Sequence, residues 1–180
     1  MNKQSLRSLS LSFTLAIVLA ACAADAPRES TRAADLATTA VTVMTFNVEN
    51  LFDNIDDPDK DDKAYLPLAA KQSAAHKHAC NEIEVNRWRN ECLNLDWNDD
   101  ILDFKMTVLA DAILQVNNGR GADIIALQEV ENFSVLEQLR TGYLADADYL
   151  PAILIEGTDA RGIDVAFLSR LPLARPPVLL

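Results

Sequence analysis

Residues 41–53 read VTVMTFNVENLFD. The first eight, VTVMTFNV, are rich in apolar and β-branched residues, and both faces are largely apolar. That pattern predicts a buried β-strand rather than a half-exposed one. The strand ends on Asn47 and Glu49, where the chain turns into a loop. Residues 123–130, DIIALQEV, form a second apolar run that ends on Glu129. In open α/β sheets ligands collect outside the carboxyl ends of strands. Two strands ending this way would bring one amide and two carboxylates to a single edge. A hard cation such as Mg²⁺ takes oxygen ligands, commonly one or two carboxylates with water and substrate phosphate. The alternative at Asn47 and Glu49 is turn chemistry, with side chains satisfying local backbone groups.

Between and after these runs lie helical signals. In residues 103–117, Met106, Leu109, Ala110 and Ile113 recur on one helical face. Asn118-Gly119 reads as the helix stop. Asn132 is placed to cap a short helix carrying Val135, Leu136 and Leu139. Residues 149–155 and 163–168 predict two further strands, joined by the turn sequence EGTDARG. The order strand, helix, strand, helix, strand, strand predicts a mixed, layered α/β (α+β) fold.

The chain has 180 residues, 49% apolar and 24% charged, enough for one folded domain with a core. Its formal net charge is -11. That speaks against broad, unassisted binding to nucleic acid, whose phosphates attract Lys and Arg. A polyanionic substrate held through a divalent cation stays open.

Residues 1–21 read as an export signal: Lys3 and Arg7, then an apolar run too short to span a bilayer. Leu19-Ala20-Ala21-Cys22 resembles a bacterial lipobox, which implies lipidation at Cys22 and a membrane-anchored place in the cell envelope. An ordinary signal peptide with a stray cysteine is the alternative. Residues 22–40 read as a flexible tether. Export makes a disulfide between Cys80 and Cys92 the expectation for the other two cysteines. His76, His78 and Cys80 lie close in sequence, but a closed metal site normally needs four ligands, so an exposed helix pinned by the disulfide is expected. Asp57, Asp59 and Asp61 fall at calcium-loop spacing, yet Asp62 and Leu68 stand where that loop needs Gly and Glu. The loop 53–63 is therefore expected to be solvated.

Three motifs in order, MTFNVENLFD, ADIIALQEVEN and RGIDVAFLSR, closely resemble the first half of the endonuclease/exonuclease/phosphatase superfamily. The resemblance spans about residues 41–171. It implies the first half of a four-layer α/β sandwich, with mixed β-sheets flanked by helices. It implies a divalent-metal-dependent phosphoester hydrolase, nuclease-like, using Mg²⁺ or Mn²⁺/Ca²⁺. Glu129 matches the family's metal-binding glutamate. Asn47 matches an active-site asparagine that helps hold metal or phosphate, and Glu49 a position often acidic near the metal. Arg161 is a candidate for substrate phosphate. Asp164 is a site candidate that a structural role explains equally well.

The family's later Gly-Asp-x-Asn motif and Asp-His pair do not occur in these 180 residues. One sheet alone would leave an apolar face in water, forfeiting roughly 10 kcal/mol for several hundred Å². The expectation is thus a truncated or fragmentary chain, inactive alone, or a half that needs a complementing C-terminal half. A non-catalytic surface lipoprotein fragment or partner-binding module is the other reading.

Overall fold

A computed structural model describes residues 40–178. The expected signal peptide, the expected lipidation at Cys22 and nearly all of the expected tether lie outside the described residues. Four strands form one sheet: β1 (Val43–Leu51), β2 (Ile124–Val130), β3 (Ile153–Leu154) and β4 (Asp164–Ser169). Their order is β1-β2-β4-β3. β1 and β2 run parallel, while β4 is antiparallel to both β2 and β3. Helices α1 (Ala74–Asn81), α2 (Asn86–Asn94) and α3 (Asp99–Leu114) lie between β1 and β2, and α4 (Phe133–Gln138) follows β2. The result is a mixed α/β fold, as the element order predicts. No helix among the described residues is long and apolar enough to cross a membrane.

α3 is the crossover that lets β1 and β2 run parallel. The Asn98 side chain accepts the Ile101 amide at 3.0 Å and caps it, with Asp99 and Asp100 in the first turn beside the positive helix end. The helix starts four residues earlier than the apolar spacing predicts, because the cap decides the start. Met106, Leu109, Ala110 and Ile113 are buried, as that spacing predicts. They pack in one core with Ile125, Leu127, Val130, Ala166 and Leu168. Met106→Ala would open a cavity there at a cost of about 2–5 kcal/mol. Asn132 caps α4, its side chain accepting the Val135 amide at 2.9 Å.

Two expectations about strands need correction. β1 is not buried on both faces: Val43 is 67% exposed, and Thr45 and Asn47 share its open face. Helix α3 covers only one side of the sheet, and Val165 and Phe167 of β4 are exposed with the open face. The strand expected over 149–155 shrinks to Ile153–Leu154. Pro151 has no amide to donate, so pairing before it is reduced to the Leu150 amide on the Ser169 carbonyl, 2.9 Å.

α1 and α2 form a hairpin joined by the Cys80–Cys92 disulfide, Cα–Cα 5.6 Å. Lys71 is buried beneath it, donating to the carbonyls of Ala64, Glu91 and Leu95. Tyr65 stacks on Phe52 at 3.9 Å, and Trp97 donates its indole N–H to the Phe52 carbonyl. These contacts tie the region after β1 to the strand's carboxyl end.

Candidate metal and phosphate site

The carboxyl ends of β1 and β2 are both irregular. Asn47 pairs with Gln128 and Leu51 with Val130, so three β1 residues oppose Glu129 alone. On its other side β2 pairs Gln128 with Val165 and Val130 with Asp164, so Glu129 is also the extra residue there. A bulge of this kind re-aims a side chain. Glu129 has φ +65°, and Glu49 and Asn50 have φ +52° and +64°. Left-handed backbone costs a non-glycine residue about 1–2 kcal/mol. Three such residues lie together where the two strands end.

The bulges bring Asn47, Asn50 and Glu129 together. The Asn47 amide donates to Glu129 Oε1 at 3.0 Å. The Asn50 backbone N–H donates to Glu129 Oε2 at 3.1 Å. Asn47 Oδ1 accepts the Glu49 amide at 2.7 Å, so part of the turn chemistry expected of Asn47 is also present. The Asn50 side-chain oxygen is buried and has no hydrogen-bond partner. Lys105 of α3 donates to the Glu49 carbonyl at 3.0 Å. Burial pulls the Lys105 ammonium below its ordinary range, while the Glu49 and Glu129 charges oppose that.

A cavity of about 480 Å³ adjoins these strand ends. Glu129, Arg161 and Asp164 all line it. Asp164 Oδ1 accepts the Gly157 amide at 2.7 Å, whereas its Oδ2 is buried and unpartnered. A Cβ on Gly157 would sit 2.6 Å from that Oδ1, so a larger residue there would displace the carboxylate. Arg161 is exposed, its Nε 3.4 Å from Asp159 Oδ1. Glu49 does not line that cavity; it lines a second cleft with Asn50 and Lys105.

Three residues escape the sequence reading. Asn50 and Lys105 carry no pattern signal of their own. Glu131 stands inside the motif LQEVEN but is 2% exposed. Its Oε2 accepts the Asp53 amide at 2.7 Å and the Asn132 side-chain amide at 3.2 Å. Burial pushes Glu131 up to about 8; the Asp53 amide works against this, and the Asp53, Asp57 and Asp62 charges add to it. The loop 53–63 is therefore not wholly solvated. Asp62 is buried, accepts the Asp57 amide, and keeps one oxygen unpartnered. Burial raises its pKa.

His76, Cys80 and Cys92 are the one group of three metal-type ligands gathered within 4.8 Å among the described residues. Both sulfurs are committed to the disulfide and the His76 ring sits 3.0 Å from the Cys92 carbonyl, so the group closes the hairpin. At the strand ends the available donors are all oxygens, from Glu129, Asn47, Asn50 and Glu49. That donor chemistry, with the unpartnered Asn50 oxygen, fits a hard divalent cation and not a soft one.

The fold is α/β, with oxygen-bearing side chains gathered at the carboxyl ends of two parallel strands. The chain belongs to the Endonuclease/Exonuclease/phosphatase family, whose sequence model matches residues 42–85 and 94–175. That membership places it among nuclease- and phosphatase-like hydrolases, a family generally dependent on divalent metal. The unmatched residues 86–93 fall within α2, the helix held by the disulfide. Neither a curated protein nor a solved structure matches the chain.

Proposed function

We propose that the chain carries the metal- and phosphate-binding residues of a divalent-metal-dependent phosphoester hydrolase. The observation that supports this most is the bulged, left-handed Glu129, held by Asn47 and by the Asn50 amide. Glu129 would bind Mg²⁺, with Mn²⁺ or Ca²⁺ as substitutes, and Glu49 and the Asn50 oxygen would complete the oxygen donors. A bound cation stabilises charge on the phosphoryl oxygens and activates the attacking water. Asn47 fixes the Glu129 carboxylate and faces the substrate. Arg161, across the cavity, would meet a phosphate oxygen. Proton transfer would need a further acid–base group, since Asn47, Glu49, Asn50 and Glu129 include no histidine.

Calorimetric titration with Mg²⁺ tests the assignment. One site is expected, lost in Glu129→Gln without loss of fold by circular dichroism. Equal binding by both proteins would contradict it. Any Mg²⁺-dependent hydrolysis of bis(4-nitrophenyl) phosphate that persists in Glu129→Gln would contradict it too.

The open sheet face favours a second reading, a partner-binding module without catalysis. Val43, Val165 and Phe167 are exposed there side by side with half-buried β2 residues. Sedimentation separates the two: a monomer that binds Mg²⁺ supports the first reading, and a stable complex indifferent to Mg²⁺ supports the second. Membrane anchoring through Cys22 belongs to either reading. Its test is metabolic labelling with palmitate, and label retained in Cys22→Ser would reject it.

A further inference from the structure

Helix α3 is apolar on two faces. One carries Leu102, Met106, Leu109 and Ile113 into the core. The other carries Ile101, Phe104 and Val108, which are 42%, 67% and 46% exposed. A surface helix ordinarily presents polar side chains outward. Clustered exposed apolar groups rimmed by polar ones mark ligand grooves.

These residues form one wall of a cleft of about 240 Å³. Glu49 and Asn50 form one end, and their backbone amides bond Asn47 and Glu129. Tyr65 and Trp97 form the remaining wall, with Lys105 between the apolar residues of α3. Tyr65 stacks on Phe52, ring centroids 3.9 Å apart at 1°, and Trp97 makes a T-shaped contact with it at 5.4 Å and 86°. Tyr65 is half-buried and still lines the cleft, so a flat ligand ring can join this aromatic cluster. Lys105 is the one cation in the lining, and it is tied to the Glu49 carbonyl.

We propose that this cleft is a subsite for one flat aromatic ring carried by a phosphoester whose phosphate lies at Glu129, a mononucleotide-type ligand. The proposal rests on the phosphoester reading of the Glu129 site. Size, stacking and charge select this occupant. The volume takes a single ring system, and an acyl chain would need a longer trough. A polymer of phosphates would meet a chain of net charge -11 and a cleft with one ammonium.

The test is calorimetric titration of the full chain, with Mg²⁺, by adenosine 5′-monophosphate, adenosine and ribose 5-phosphate. The monophosphate is expected to bind about tenfold more tightly than ribose 5-phosphate, the worth of one stacked base. Tyr65→Leu should erase that gap. Phe104→Ser, at an exposed position that the fold does not need, should narrow it several-fold. Equal affinities for the two phosphates, or a gap untouched by both variants, overturn the subsite while leaving the phosphate reading intact. Adenosine binding that needs Tyr65, with ribose 5-phosphate failing to bind, sinks the phosphate reading and keeps the ring subsite. Absence of monophosphate binding overturns the proposal. If phosphatidylcholine vesicles then bind the chain and release the Phe104→Ser variant, the ridge is a membrane contact instead.

Discussion

Two regions of this molecule bury charge, and they treat it oppositely. Under the disulfide hairpin, Lys71 is enclosed and each proton of its ammonium has a backbone carbonyl to meet. Around the strand ends, Asn50, Asp62 and Asp164 each keep a buried oxygen without a partner, and Glu131 is buried among carboxylates. Closed accounts are what stability selects, because an unsatisfied buried polar group costs about 1–3 kcal/mol. Open ones, gathered beside three left-handed residues, are tolerated where a ligand completes them. The hairpin is a brace, and the strand ends carry the proposed site.

The sharpest way to break that contrast is to open the closed region. Lys71→Met removes the donor and leaves three carbonyls facing an apolar chain. A loss of about 3 kcal/mol or more is expected in urea denaturation. A loss below 1 kcal/mol would mean that water already serves those carbonyls. Burial also holds the Lys71 ammonium down to about 8. Its folded pKa lies below the unfolded value, so the unfolded chain binds more protons between about 8 and 10.5, and stability should rise over that range. Cys80→Ser with Cys92→Ser tests the brace from the other side. Closing so short a loop is worth about 3 kcal/mol. The double variant should melt lower while Mg²⁺ binding at the strand ends is retained, and joint loss of both would tie brace and site together.

Glu131 tests the open region. Its folded pKa is raised, so its contribution to stability is complete below about 4.5 and is lost as pH rises through about 8. Wild-type stability should fall across that window by up to about 1.4 kcal/mol per pH unit. Glu131→Gln keeps the acceptor for Asp53 and cannot ionise. Its denaturation curves should change less with pH, and an unchanged slope would remove Glu131 from the account. The smallest effect is expected at Glu49. Replacing an exposed left-handed glutamate by glycine relieves strain, so Glu49→Gly should gain about 1 kcal/mol. The same variant should bind Mg²⁺ more weakly, and a gain in both would make Glu49 a turn residue only.

Much of this was legible before the fold. Apolar runs ending on Asn47 and Glu129 mark two strand ends, and their convergence follows from parallel pairing. The buried stripe of α3 follows from helical spacing, and the α4 cap from Asn132. The left-handed backbone at Glu49, Asn50 and Glu129 was not legible, because that conformation is signalled by glycine and here it is imposed by bulges. Burial of Asp62 and Glu131 was hidden by composition, since acidic residues in an acidic stretch read as solvated. The open face of β1 was misjudged for the reverse reason. Apolar residues state what a face would accept, and only the packed elements decide what covers it. Lys105 joins the site through α3 packing, which no local motif encodes.

The most direct measurement is Mn²⁺ titration of the isotopically labelled chain, followed by paramagnetic broadening of its backbone amide signals. The account predicts selective loss of Asn47, Asn50 and Glu129 signals at low Mn²⁺, with Lys71 and the α1–α2 hairpin untouched, and no selective loss in Glu129→Gln. Broadening centred on the acidic 53–63 loop, or unchanged by Glu129→Gln, would contradict it.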